Sequence, residues 1–492
     1  MTKPLFPYRF PPMSHQRRAL RRMVQNFRRG RPGFGLFHAM GAGKTFTSIN
    51  LMYYLANQGI AEGVLVVCPT PIKDVWDVEV AKCAPEGARM DVHILRSGGN
   101  KKAEKWWTSP NKKKALRVLV VGVEALSQGS ARDAMTNFLR AYRGGGNLMI
   151  VDESSKIKNA TATRTKAVIK AGQLADYRVI LTGTPVSQGM QDLWPQMQFL
   201  DPDILKCKSY VLFRNLYCVM GGFQGRSIIG YQRQEELMEK IAPYVDIVTK
   251  EQALPELPPK VYEEVLVDVT PQQRRAIGEL EELMKAEQGG DEITVSTVME
   301  RLTRYQQILG GHFPFEDEHG QYQVTPIEGQ QPKLNALMQV LELDVETGTK
   351  TIIWARFTPE RNTIVQAIRD KWGDEAALLF DGQVSDADRK KATSDFQEDP
   401  NARFMVANVV VGGMGQTWTA ATHEVYYSND FSYENRMQSE DRAHRKGQKN
   451  AVKYTDIISD HPADRMITRA LAKKGDVADY VRDALVEGTL DL

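Results

Sequence analysis

The strongest constraint on the fold is a recurrence of short, fully apolar runs rich in β-branched residues, separated from one another by stretches of helical periodicity. VLVVC (64–68), VLVVGV (118–123), NLMIV (147–151) and RVILT (178–182) form one set. KTIIWA (350–355), ALLF (377–380), RFMVA (403–407), EVYYS (424–428) and VKYTDII (452–458) form a second. A strand buried on both faces reads as a continuous apolar run, and strand–helix alternation builds parallel sheets. The sequence therefore predicts an α/β chain with two parallel-sheet lobes. Between the sets, over roughly 205–345, the composition shifts to Pro-rich ALPELPPK (253–260), charged helical stretches near 271–310 and a polar Gly/Pro stretch near 310–332. The expected boundaries are a first lobe over 1–255 with a helical insertion after about 205, an interlobe linker and helical insertion over 256–345, and a second lobe with C-terminal helices over 346–492.

A length of 492 residues accommodates two such lobes, and 42% hydrophobic with 25% charged residues is ordinary for a soluble globular chain. No apolar run reaches the length of a membrane span and the N-terminus has no signal-peptide apolar region, so no membrane role is expected. The four cysteines (Cys68, Cys83, Cys207, Cys218) form no C-x-x-C pair, which argues against both a zinc site and a disulfide framework. Net charge is only +3, but its distribution is uneven: no acidic residue precedes Glu62, while seven arginines fall between Arg17 and Arg31. A second basic stretch, KKAEKWWTSPNKKKALR (101–117), contains Trp106 and Trp107. It reads first as a solvated loop and second as a nucleic-acid contact.

The stretch LFHAMGAGKTFTS (36–48) resembles a phosphate-binding loop, with His38 where the full pattern places its first glycine. An apolar run, GFGLFHA, precedes the glycines, and Ile49, Met52, Tyr53 and Ala56 continue at helical spacing behind them. Strand, glycine turn and helix start is the context such a loop requires. Gly41 and Gly43 would let the backbone approach phosphates, Lys44 would reach the β- and γ-phosphates, and the Thr45 hydroxyl would ligate magnesium. The run NLMIV leads directly into Asp152-Glu153, two carboxylates at a strand's C-terminal end, where open parallel sheets bind ligands. Asp152 would hold the magnesium and Glu153 would orient and deprotonate the attacking water. ATP and Mg2+ are the expected substrate and cofactor.

With these motifs, the sequence resembles superfamily-two helicases, specifically the Swi/Snf-like group of DNA-dependent ATPases, over most of its length. That superfamily commonly lacks the first phosphate-loop glycine. The resemblance extends to His15-Gln16 in PPMSHQRRAL, VVCPTPIKDVW (66–76), VGVEAL (121–126), VDESSKIKN (151–159), LTGTPVSQGMQDLWPQMQFLDP (181–202) and LPPK (257–260). In the second half it covers FDGQVSDADRKKATSDF (380–396), VVVGGMGQTWTAATHEVYYSND (409–430) and QSEDRAHRKGQ (438–448), the last nearly diagnostic. It implies two tandem RecA-like lobes, with Gln16 and Gln438 at the nucleotide, Thr182-Gly183-Thr184 coupling hydrolysis to movement, and Pro69, Thr70, Arg356, Gly412, Gly413 and Thr417 touching DNA. Arg442 and Arg445, three apart and so on one face of a helix, would act as arginine fingers across a cleft from Lys44 and Asp152.

Three departures stand out. Ser155 replaces the usual histidine of the Asp-Glu-x-His box, Asn408 replaces a Ser/Thr type, and Gln416-Thr417 replaces an Ile-Asn type. Small insertions with no appended chromatin-reading domain suit a minimal bacterial or phage motor, monomeric and in the cytoplasm of a bacterial or phage-infected cell. The expected function is ATP-driven translocation on duplex or branched DNA, sequence-tolerant because phosphate contacts carry little base information. A nuclease or replication partner is possible in such a pathway. The alternatives are a strand-separating DNA or RNA helicase and a non-catalytic ATP-binding scaffold.

Overall fold

A computed structural model describes residues 8–473 and 477, except 113, 128, 188, 222–226, 289–293, 317–321 and 414–415. The chain divides into two compact units, residues 1–255 and 256–492. The first unit carries β1 (Gly33–His38), β2 (Gly63–Cys68), β3 (Met90–Ile94), β4 (Leu116–Gly122), β5 (Asn147–Asp152), β6 (Tyr177–Thr182), β7 (Cys218–Gly221), β8 (Ser227–Tyr231) and β9 (Val245–Val248). Seven of these form one parallel sheet in the order β3-β4-β2-β5-β6-β1-β9, and β7 pairs antiparallel with β8.

Period-two alternation sends the side chains of each strand to two separate cores. On β2, Val64, Val66 and Cys68 join a core with helices Ser14–Arg28, Lys44–Asn57 and Lys73–Cys83, whereas Leu65 and Val67 join the opposite one. That second core takes Phe138 and Leu139 from helix Gly129–Ala141, Val168 from helix Thr163–Gly172 and Phe199 from helix Leu193–Leu200. Covered on both faces, the central strands carry no polar alternation, which is why they read as unbroken apolar runs.

The second unit contributes β10 (Lys260–Val267), the antiparallel hairpin β11 (His312–Glu316) and β12 (Tyr322–Pro326), then β13 (Lys350–Trp354), β14 (Ala377–Phe380), β15 (Phe404–Ala407), β16 (Ala421–Tyr426) and β17 (Val452–Ser459). Its parallel sheet runs β10-β17-β16-β13-β15-β14. The segment 256–345 is more than a connection: β10 adds an edge strand to this sheet, in register from Lys260↔Val452 to Val267↔Ser459. Helices Pro271–Gln288 and Val295–Leu309 build a satellite core with helix Pro462–Ala472 through Ile277, Leu280, Leu302, Tyr305 and Ile467. Two parallel sheets, each sandwiched by helices, are the tandem RecA-like architecture. Among the described residues no helix is long and apolar enough to cross a membrane.

Strand order positions the candidate site. β2, β5, β6 and β1 are consecutive neighbours in the first sheet, so the residues at their C-terminal ends stand side by side. Pairings Asp152↔Leu181 and Phe37↔Thr182 put Asp152-Glu153, Thr182-Gly183 and His38 along one edge.

Candidate nucleotide site and nucleic-acid contacts

The phosphate loop has the backbone its glycines allow. Gly41 and Gly43 take φ +77° and +78°, left-handed values that a β-carbon penalises. Gly43 is also the N-cap of helix Lys44–Asn57 and supplies no side-chain cap, so the first-turn N–H groups stay available to an anion. A β-carbon at Gly43 would collide with the Gln16 amide. That amide is engaged: Nε2 donates to Ala42 O at 2.9 Å and Oε1 accepts from Met13 N at 2.9 Å. His15 Nε2 reaches the same Ala42 carbonyl at 2.8 Å. Gln16 therefore braces the loop backbone in this structure.

Lys44 is buried, and its Nζ donates to His38 O at 2.9 Å. Asp152 is buried opposite, Oδ2 accepting from Trp76 Nε1 at 3.1 Å and Oδ1 from Glu153 N at 3.0 Å. Burial raises the Asp152 pKa, opposed by the Lys44 charge and these two hydrogen bonds. A carboxylate so desolvated favours a nearby cation. The Asp152 carboxylate and the Thr45 hydroxyl are hard oxygen donors of the kind that suits Mg2+, an ion that keeps several waters and takes few protein ligands beside phosphate oxygens. Glu153 has φ +49°, a left-handed backbone at a non-glycine residue costing about 1–2 kcal/mol. Such strain collects at functional positions. Gly183 packs directly on the loop, since a β-carbon there would lie 3.4 Å from both His38 O and Met40 N. Thr182 is buried and its hydroxyl accepts from Thr184 N at 3.0 Å.

Two contributors carried no sequence-level signal. Trp76, inside the quoted 66–76 stretch, orients Asp152. Asp246 on β9 explains His38: Nε2 of that fully buried imidazole lies 2.9 Å from Asp246 Oδ2, which also accepts from Arg18 Nη2 at 3.0 Å, while Arg22 Nη1 reaches Oδ1 at 2.7 Å. The residue that breaks the glycine pattern thus anchors the loop to the sheet's edge strand. It also gives part of the acid-free Arg-rich N-terminal segment a structural use. Burial works against the Asp246 charge, but the hydrogen bonds from His38, Arg18 and Arg22 outweigh it and hold the carboxyl well below the usual range. Burial lowers the His38 pKa, against the opposing pull of its hydrogen bond to Asp246.

Asp246→Asn is expected to cost about 3 kcal/mol, the low end for breaking a buried pair, because both arginines retain access to water. The unfolded aspartate, at about 3.9, takes up a proton before the folded one. The contribution is thus complete at neutral pH and is lost as pH falls below about 4 toward the folded value. Urea unfolding of D246N and wild type at stepped pH should show a gap that narrows only in that window.

In the second unit the helix Tyr433–Glu440 ends before the paired arginines, so they do not share a helix face as their spacing suggests. Trp418 N takes the Arg442 carbonyl at 3.0 Å, which diverts it from continuing the helix. The guanidiniums converge all the same: Arg442 Nη1 and Arg445 Nη1 donate to Gln416 O at 2.7 and 2.9 Å, and Arg445 also to Thr417 Oγ1 at 2.7 Å. Gln438 is buried, with Nε2 on Glu434 Oε1 at 3.2 Å. A β-carbon on Gly412 would fall 2.9 Å from Trp354 and 3.0 Å from Trp418, so that glycine is required by core packing. Gly413 closes the turn, its N donating to Val409 O at 2.8 Å. Asn408 caps the short helix Val409–Gly412, accepting from Val410 N at 2.9 Å.

Among the candidate DNA contacts of the first unit, Pro69 and Thr70 directly follow β2. Thr70 N and Oγ1 both donate to Glu124 Oε2, at 2.9 and 2.7 Å, in an exposed position. Arg356 is packed within the second unit: its guanidinium lies 3.8 Å over the Phe431 ring and donates to Gln306 Oε1 at 2.9 Å. Burial lowers its pKa. The basic stretch 101–117 begins as helix Asn100–Thr108 rather than as a loop. Trp107 is buried, and Trp106 stacks on His93 with Nε1 on Asp91 Oδ2 at 2.8 Å, so both tryptophans serve packing.

This arrangement falls among the helicase-like proteins of superfamily two. More narrowly, the SNF2-related domain matches residues 15–310 and the helicase conserved C-terminal domain matches residues 332–447. The chain belongs to the SNF2-related family. Among its relatives, the DNA annealing helicase and endonuclease ZRANB3 of Mus musculus is 25% identical over 89% of this chain and 38% of its own length. The transcription regulatory protein SNF2 of Saccharomyces cerevisiae is 25% identical over 96% of this chain and 28% of its own. The chain thus spans well under half of these relatives. A solved structure of the Sulfolobus solfataricus SWI2/SNF2 ATPase core in complex with dsDNA aligns over 99% of this chain and 96% of that one, with 23% identity and a TM-score of 0.42.

Proposed function

We propose that the chain is a DNA-dependent ATPase that moves along double-stranded or branched DNA without separating its strands. The observation that carries the reading is the site at the edge of the first sheet, where Lys44, Thr45, Asp152 and Glu153 accompany a left-handed glycine loop at a helix start, in a chain of the SNF2-related family. In this reading Lys44 leaves the His38 carbonyl to bind the β- and γ-phosphates, and Glu153 orients the attacking water and accepts its proton. Mg2+, held by Thr45 and Asp152, would supply charge neutralisation at the phosphates. Arg442 and Arg445 would stabilise charge on the transferred phosphoryl group. Pro69, Thr70 and the Gly412-Gly413 turn would contact the nucleic-acid backbone. A place in DNA replication, recombination or repair belongs to the same reading, and likeness to a DNA annealing helicase and endonuclease supports DNA as the polymer acted on.

The test is the ATP hydrolysis rate with single-stranded, duplex and branched DNA and with RNA, side by side. Duplex or branched DNA should stimulate most, with an activation constant that weakens linearly in log salt, as phosphate contacts require. Triplex displacement should succeed where release of a labelled strand from a fork fails. Efficient strand release would favour a true helicase, stimulation by RNA alone an RNA-directed enzyme, and absence of hydrolysis a scaffold.

A further inference from the structure

In the resembled family a histidine follows the Asp-Glu pair by two positions, and Ser155 stands there in this chain. Next to it, a pair of side chains spans the gap between that segment and the one following β6. Ser154 Oγ donates to Gln196 Oε1 at 2.7 Å, and Gln196 Nε2 donates to Pro185 O at 2.7 Å and Asp192 O at 2.8 Å. Both Ser154 and Gln196 are 0% exposed. The amide orientation is fixed, because turning it over would set its oxygen against two carbonyls. Gln196 lies on helix Leu193–Leu200, which also buries apolar side chains at 193, 197, 199 and 200 and a second glutamine, Gln198, bonded to Cys207 O at 3.1 Å. A glutamine in that company carries a desolvation cost that an apolar residue avoids, unless its hydrogen bonds offset it.

A second limb joins the same two segments. Lys158 Nζ donates to Ser187 Oγ at 2.6 Å, and Ser187 N donates to Asp192 Oδ2 at 2.9 Å. The segment after Glu153 is therefore tied to the Pro185–Gln196 segment at both ends. The inner tie starts one residue from Glu153 and ends one residue from Thr184.

We propose that Ser154 and Gln196 are positioning residues that couple Glu153 to the Thr182-Gly183-Thr184 segment, so that stimulation of hydrolysis by DNA passes through this buried bridge. The inference rests on the reading of the chain as a DNA-dependent ATPase. A shift of the Pro185 end alters where Ser154, and with it Glu153, is held, and by reciprocity a change at the nucleotide alters the Pro185 end.

The experiment compares Gln196→Leu, Ser154→Ala and the double variant in the full chain, each checked for folding by urea unfolding. The ratio of DNA-stimulated to DNA-free turnover should fall about tenfold in Q196L, within the usual range of coupling between sites, while KM for ATP moves by less than about twofold. S154A should show a smaller fall, and the double variant should be no worse than Q196L, because one bridge cannot be broken twice. S154A, which deletes only a hydroxyl, decides the matter if the leucine variant does not fold. Proportional loss of basal and stimulated turnover, a rise in KM, or effects that multiply in the double variant would each overturn the bridge in favour of general loosening. Wild-type stimulation in both variants overturns this inference alone. A wild-type protein that DNA does not stimulate overturns the DNA-dependent reading and the inference with it.

Discussion

The Glu153→Gln protein is expected to bind ATP and leave it uncleaved. The substitution keeps the shape of the side chain and removes its ability to accept a proton. The neighbouring magnesium candidate, Asp152, keeps its hydrogen bonds from Trp76 and from the residue-153 backbone amide, which the substitution does not touch. Removal of a general base typically costs about 10²–10⁴ in rate. Lys44→Ala should behave differently. Lys44 Nζ is the group proposed to meet the phosphates, so nucleotide affinity should fall together with turnover. Phosphate release and binding of a fluorescent nucleotide, measured on both variants, separate the two outcomes. Wild-type turnover in either would remove that residue from the active site.

Arg445→Ala is expected to lose about a thousandfold in turnover, the scale of arginine-finger losses, with little change in nucleotide affinity. Lys44, Thr45 and Gln16 belong to the first unit and Arg445 to the second. The proposed roles give nucleotide capture to the first group and transition-state charge to the second. Arg445 is also oriented: one nitrogen donates to both Gln416 O and Thr417 Oγ1. A lysine keeps the charge but not the planar fork that suits a phosphoryl group, so Arg445→Lys should remain badly impaired. Affinity and DNA-stimulated turnover are to be measured on one preparation. If affinity collapses while turnover per bound nucleotide survives, Arg445 is a binding residue.

How much was legible in the sequence depended on how fully a strand's side chains are covered. β2, β4, β5 and β6 are interior strands, covered on both faces, and their apolar runs announce them. β3 and β10 are edges with mostly half-buried or exposed positions, and VYEEVLV carries two glutamates, so no continuous run marks them. β9 is equally hidden because the buried Asp246 interrupts VDIV. The site divides along the same physical line. Gly41, Gly43, Lys44, Asp152 and Glu153 are types and spacings that phosphate and metal chemistry demand locally. Their supports are long-range pairs, with Trp76 and Asp152 76 positions apart and Ser154 and Gln196 42 apart. Only the folded sheet brings such pairs together. The misjudged helix at Arg442 has a related cause: a carbonyl claimed by Trp418, which spacing alone cannot register.

The anchoring of His38 by Asp246 bears on the order in which the protein comes into being. The two residues are 208 positions apart, so a ribosome adding about 5–20 residues per second delivers the aspartate about 10–40 s after the histidine. By the last part of that interval the nascent chain already holds the glycine turn, the lysine and the Asp-Glu pair. It lacks the acid that receives Arg18, Arg22 and His38, and it lacks the edge strand that closes the sheet beside β1. A fragment ending shortly before Val245 would retain every signature motif of the first unit, yet its phosphate loop would keep only the brace from His15 and Gln16 and lack the tie through Asp246. The nucleotide pocket is thus among the last parts of its domain to mature, although its glycines are among the first residues made.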